Sequence, residues 1–286
     1  MKKYFYSLVW FLVFLMMTPV FADEMEDDSG VDNQPIYSIN QEMSLIPTVK
    51  YQYGKSKVTI KSVYPVLVSD EENENIDEFN QLVLDFIREE ASYFKQQVAD
   101  NAALQKNLPA SMEKKNDLNI DFDTTVINTR SRPIISVRFS IQGYMAGMAH
   151  PSHRHRVLNF DLGMGQQIEL MDLFKSDSHY LYFLADYSNK ILSKQLRDKQ
   201  MIEEGTAPLP AHYQNWNINA RGILITFDEP QVAPSVYGTQ TVLIPYSELK
   251  DFISPDSLLA ICLQHKKRCL GNHVSTGGFS EDAVNS

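Results

Sequence analysis

Gly143–Phe174, GYMAGMAHPSHRHRVLNFDLGMGQQIELMDLF, is the stretch from which the fold is read. Leu158, Phe160 and Leu162 alternate with Asn159 and Asp161, the period of a strand with one buried face. Gly163-Met164-Gly165 then supplies a reversal where a left-handed backbone costs little. Gln166 to Leu170 resumes as a second short strand, so the segment predicts a hairpin that runs into an Asp172-Leu173-Phe174 helix start.

Two longer alternating runs precede it. Leu118, Ile120 and Phe122 are interleaved with Asn119, Asp121 and Asp123, and Ile135, Val137, Phe139 and Ile141 with Ser136, Arg138, Ser140 and Gln142. A polar turn ending at Pro133 separates them, so the runs pair antiparallel and continue into the hairpin as a four-stranded meander. Further upstream, Val49 to Tyr53 and Val58 to Val68 read as strands around Gly54-Lys55. The break at Tyr64-Pro65 marks a bulge or an edge.

The clearest helix is Asn75 to Val98, with Ile76, Phe79, Val83, Phe86, Ile87, Phe94 and Val98 on one face. Asn75 and Glu78 have capping-box spacing, and the acids from Asp70 to Glu78 sit at the positive end of the helix dipole. Residues 101–116 are polar and predict a surface connection. A second helix carries Tyr180, Leu184, Tyr187 and Ile191 after the capping candidates Ser176-Asp177-Ser178, and ends between Gly205 and Pro210. It is expected to cover the far face of the meander. Trp216 to Ile218, Ile223 to Phe227 and Gln240 to Pro245 read as strands, and Tyr246 to Phe252 as a short helix. The fold class expected is α+β: antiparallel sheets with packed helices, in two related strand–helix–strand subregions.

Lys2 and Lys3, the apolar run Tyr4 to Val20 and the small residues at Val20-Phe21-Ala22 predict a cleaved secretory signal over residues 1–22. The protein is then periplasmic or secreted, and no later segment is apolar enough to span a bilayer. Residues 23–44 form an acidic leader, 45–116 and 117–269 two modules, and 270–286 a flexible Gly/Ser-rich tail. Losing the two lysines leaves a formal charge two units below −10. That argues against nucleic acid and anionic membranes and favours a basic partner. In an oxidising compartment Cys262 and Cys269 are expected to pair, closing the His265-Lys266-Lys267-Arg268 loop.

His150, His153 and His155 are the sharpest candidates for chemistry. On an extended segment His153 and His155 point the same way, which a metal site could use, but no further ligand is fixed by spacing. No metal and no cofactor is expected, and the histidine loop is read as a partner contact. No nucleophile elbow is present, so no catalytic residue is assigned. Thr226-Phe227-Asp228-Glu229 resembles the metal-binding carboxylate motif of polysaccharide deacetylases, yet the H-x-x-x-H that would complete it is missing. Glu169 and Asp172 are carboxylates brought together by proximity alone. Tyr144, Tyr213, Trp216 and Tyr237 lie in or beside predicted loops, where aromatic rings anchor proteins or sugars.

Gly147-Met148-Ala149-His150-Pro151, Asn159-Phe160-Asp161, Asp172-Leu173-Phe174, Gly222 through Phe227 and Gly238 through Pro245 occur in this order. Together they resemble the extracellular domains of the RsiV type, found in lysozyme-sensing anti-sigma factors, with a related module beside a peptidoglycan deacetylase domain. Glu229 to Tyr237 departs from that pattern, lacking the tyrosines relatives carry there. The resemblance implies an α+β fold and cell-envelope binding without catalytic residues of its own. Only Met1 to Lys3 precede the apolar run, so a cytoplasmic anti-sigma segment is not expected. The expectation is an exported, non-catalytic envelope protein that binds lysozyme or wall glycan; the alternatives are a wall polysaccharide hydrolase or deacetylase, and a structural envelope subunit.

Overall fold

The computed structural model describes residues 37–39, 42–54, 57–109, 115–128, 133–264 and 271–275. The signal, most of the acidic leader and Cys269 lie outside them. The α+β expectation holds. Among the described residues, eight strands form one sheet: β1 (Tyr37–Ser38), β2 (Met43–Gly54), β3 (Val58–Ser69), β4 (Asn116–Asn128), β5 (Pro133–Tyr144), β6 (Ser152–Asp161), β7 (Gln166–Gln167) and β11 (Gly271–Ser275). The first seven lie in sequence order, and β11 adds to β4. The meander from β4 to β7 is antiparallel as predicted. β3 and β4 run parallel, which requires a crossover, and α1 (Glu74–Asp100) supplies it.

α1 begins one residue earlier than its apolar pattern indicates, and its cap lies two residues earlier. Its cap is Asn73, whose side chain accepts from the N–H groups of Asn75 and Ile76, not Asn75 with Glu78. Asn75 instead donates to the Leu162 carbonyl at 2.9 Å and packs on Gly165, where φ is +65° and an added Cβ would meet it. The predicted hairpin turn and the helix start therefore lock each other. α1 buries Ile76, Phe79, Val83, Ile87, Phe94 and Val98 against Leu118, Ile120, Phe122, Ile135, Val137 and Phe139, forming the first core.

No bulge forms at Pro65, which faces Pro47 in an unbroken β2–β3 ladder. Pairing of β3 with β4 ends at Ser62, so Pro65 occupies a strand margin where its missing N–H is harmless. The connection after α1 holds a short helix, α2 (Ala102–Lys106), and buries Gln105 against Asn116. Residues 271–275, assigned to the tail by composition, form β11. The boundary expected between residues 116 and 117 lies inside the first core; the second core begins with Ile127, Ile134 and Ile168.

The second core is built around an antiparallel three-stranded sheet of β8 (Trp216–Ile218), β9 (Gly222–Phe227) and β10 (Gln240–Pro245). α3 (Tyr180–Gln195), α4 (Lys199–Gly205), α5 (Tyr246–Leu249) and α6 (Ala260–Gln264) complete it. The predicted second helix is thus two: α3 stops at Leu196 and Asp198 caps α4. His179, not the serines before it, occupies the cap position of α3. α3 packs on β10 and does not cover the meander. β8 and the end of β9 do that.

Candidate functional site

Alternation gives the middle strands of the large sheet two unlike faces. One face meets α1. The other carries Asp123, Ser136, Arg138, Ser140, His153, His155 and Asn159, and the small sheet lies on it. The sequence predicts the second helix over this far face; instead the small sheet covers it, and much of it is a buried polar seam. Ser136 Oγ donates to Asn159 Oδ1 at 2.5 Å and accepts from Asn217 Nδ2 and the Ile218 N–H. Asn159 Nδ2 donates to the Trp216 carbonyl at 2.8 Å. Arg138 joins Asp123 at 2.7 Å and donates to Thr226 Oγ1. Buried polar groups are tolerated when they are bonded in this way.

The three histidines separate within this frame. His150 is exposed in the turn after β5, its Nδ1 3.0 Å from the Pro151 carbonyl. His155 is buried and gives both its backbone N–H (3.0 Å) and Nδ1 (2.6 Å) to Asp228, which also accepts from Asn215. His153 is half-buried, with Nε2 2.8 Å from Ser140 Oγ and its ring 4.8 Å from that of His155. Partial burial, then the neighbouring His155, holds its pKa below the usual histidine value despite Glu229 and Asp228. A Ser–His pair and an Asp–His pair thus lie side by side. They do not join into one relay, because Asp228 engages His155 rather than the histidine that meets serine. Among the described residues no group of three or more His, Cys, Asp or Glu side chains could hold a metal. The Thr226–Glu229 motif acts in the seam: Thr226 meets Arg138 and Asp228 clamps His155.

The aromatic candidates also divide. Trp216 and Tyr213 are buried, the Tyr213 hydroxyl donating to the Thr206 carbonyl at 2.6 Å, so neither projects into solvent as an anchor. Tyr144 is half-buried at the end of β5, while Tyr237 is exposed beside Val236 in the turn Ser235–Tyr237. Cys262 is buried in the second core, and its expected partner Cys269 lies outside the described residues.

What the sequence did not signal is a groove of about 330 Å³ where the two cores meet. Val157 and Asn159 of β6, Gln167, Glu169, Met171, Tyr180, Pro210, Tyr213, Gln214 and Trp216 line it. Phe174 stacks on Tyr180 at 4.3 Å and fixes that ring. The Glu169–Asp172 proximity is a local cap, Asp172 accepting from the Glu169 N–H at 3.0 Å. The side chains of Gln167 and Gln214 make no hydrogen bond within the described residues, and both are exposed. These residues come from four separate chain segments, so no local motif could announce them. Aromatic edges beside uncommitted amides suit a ligand with apolar faces and vicinal hydroxyl or amide groups.

On the α1 face, buried Glu90 accepts from Arg154 and Arg156, and Arg156 also meets Glu89 at 3.1 Å. Asp70, Glu71, Glu72 and Asp77 cluster at the start of α1. No helix among the described residues is long and apolar enough to cross a membrane.

Residues 171–247 match the family described as "Protein of unknown function (DUF3298)". The match covers much of the second core. A solved structure of a DUF3298-family protein from Bacteroides fragilis aligns with a TM-score of 0.50 at 18% identity, covering 79% of this chain and 97% of that one, a likeness of fold. The peptidoglycan-N-acetylmuramic acid deacetylase PdaC of Bacillus subtilis is 29% identical over 143 residues, 49% of this chain and 30% of the deacetylase. The immunogenic protein MPT64 of Mycobacterium tuberculosis is 26% identical over 115 residues, 40% of this chain and 48% of its own. An esterase of the same organism is 28% identical over 103 residues, 36% of this chain and 45% of the esterase. The chain therefore spans under half the length of PdaC, MPT64 and the esterase.

Proposed function

We propose that this is an exported cell-envelope binding protein that takes wall glycan in the groove between its two cores. The groove's chemistry carries the reading: half-buried Tyr180 offers ring surface over a floor of buried Tyr213 and Trp216, and exposed Gln167 and Gln214 offer amides that bond to nothing else among the described residues. Sugars present apolar ring faces and paired hydroxyls, and N-acetyl groups add an amide. The likeness to a peptidoglycan deacetylase supports a wall polymer as the ligand class, and with it an extracytoplasmic location. The reading assigns binding without turnover, since among the described residues the Ser140–His153 pair has no acid hydrogen-bonded behind it, Asp228 being engaged by His155. Purified wall sacculi should co-sediment with the protein. Full retention of the protein in the supernatant at low salt would sink the proposal.

A second reading, that of a lysozyme-binding protein of the RsiV type, is favoured by the acidic cluster at the start of α1 and the net charge of −10. Association would then weaken with salt. Titration with lysozyme at low and high ionic strength, following heat and muramidase activity together, separates the two.

A further inference from the structure

Two grooves open on opposite faces of the large sheet and meet at its β6 edge. The first is the groove between the cores. The second, about 390 Å³, is lined by Asp85, Phe86 and Glu89 of α1 with Phe139, Arg156 and Leu158. Val157 and Gln167 line both. β6 has β5 along one side, while β7 pairs with it only at Phe160 and Asp161.

Two hydrogen bonds fix which way the backbone faces along this margin. The His155 N–H points outward to Asp228, and the Asn159 carbonyl accepts from the Ile168 N–H at 2.8 Å. Val157 stands midway between them. Residues two apart on a strand direct their N–H and C=O groups to the same side. The Val157 N–H and C=O therefore face outward, and no hydrogen bond engages them among the described residues. Asp228 closes the edge before this residue and Ile168 closes it after. A window one residue wide remains.

Open backbone at a sheet edge is a template for another extended chain. In strand addition, main-chain bonds supply affinity and alternate side chains fall on opposite faces. Here the two faces are the two grooves. Resting on the wall-binding reading above, we propose that the ligand is a peptide-substituted glycan. Its sugar occupies the groove between the cores, and a residue of its extended peptide exchanges N–H···O=C bonds with Val157. A side chain of that peptide enters the α1-side groove, where Asp85 and Glu89, each shared with an arginine (Arg88 and Arg156), have further carboxylate lone pairs to offer an amine.

The test compares three purified fragments on the full chain by calorimetry: a wall disaccharide-peptide, the bare disaccharide and the free peptide. Exchange of the Val157 amide is followed by NMR in each case. The disaccharide-peptide should bind at least tenfold more tightly than either piece, and should slow Val157 exchange at least tenfold where the bare disaccharide does not. Val157→Pro removes the N–H and should reduce the disaccharide-peptide to the affinity of the bare sugar. Asp85→Asn with Glu89→Gln, which leaves the backbone intact, should remove the part of the affinity that depends on an amine. Equal binding of bare disaccharide and disaccharide-peptide, with Val157 exchange unchanged, would overturn this proposal and leave wall binding standing. No binding of any fragment would overturn both.

Discussion

His155 on the large sheet gives its backbone N–H and its Nδ1 to one residue, Asp228, at the end of a strand in the small sheet. One carboxylate therefore ties strand edge, imidazole and second core together, and Asn215 fills a further site on the same oxygen that takes the N–H. Asp228→Ala would leave three donors without their acceptor. It should lower unfolding stability by about 3 kcal/mol, measured in urea, because buried donors to a charged acceptor are costly to strand.

His153 makes the seam sensitive to acid. Its folded-state pKa lies below 6.5. A depressed histidine pKa means that the unfolded chain takes the proton first, so this contribution to stability is present above 6.5 and declines as pH falls through the folded value. Chemical denaturation at a series of pH values should show the decline. His153→Gln, which can keep a bond to Ser140, should flatten it; an unchanged slope would remove His153 as its source.

Asn80 completes β3 after β4 has diverged. Its amide donates to the Leu67 carbonyl and accepts from the Leu67 N–H, each at 2.8 Å, as a neighbouring strand would. Asn80→Ala should cost about 2 kcal/mol and speed exchange of the Leu67 amide.

In the groove, Gln167→Ala and Gln214→Ala remove exposed amides that make no hydrogen bond among the described residues. Each should weaken binding of wall fragments about tenfold, near 1.4 kcal/mol, with thermal stability unchanged. Wild-type affinity in both variants would move the ligand out of the groove.

A Cys262–Cys269 disulfide remains part of the proposal of export. Alkylation of the unfolded, unreduced protein should then label neither cysteine, and reduction should expose both and destabilise the fold by about 2–3 kcal/mol.

Strand and helix periodicity make most of the architecture readable in the sequence. Leu118 to Phe122, Ile135 to Ile141 and the face from Ile76 to Val98 all pack where alternation or helical spacing places them. The seam was hidden for a physical reason: Ser136, Arg138 and Asn159 satisfy the same polar half of an alternating pattern whether that half meets water or another sheet. The cap of α1 was misplaced because Asn73, Asn75 and Glu78 compete locally, and the tertiary bond from Asn75 to Leu162 decides between them. The groove was invisible because its lining is gathered from distant segments. Trp216 was singled out for its type, but its burial depends on neighbours the sequence does not name.

β11 meets Asp123–Ile127 of β4 from the far end of the chain, across roughly 150 residues, and contacts of such separation form late because loop closure is entropically costly. If the chain is exported from its N-terminus as proposed above, that margin of β4 stays open until residue 271 has emerged. Release of the chain just short of that point would leave a bare strand edge, and assembly with a second incomplete chain would then compete with folding.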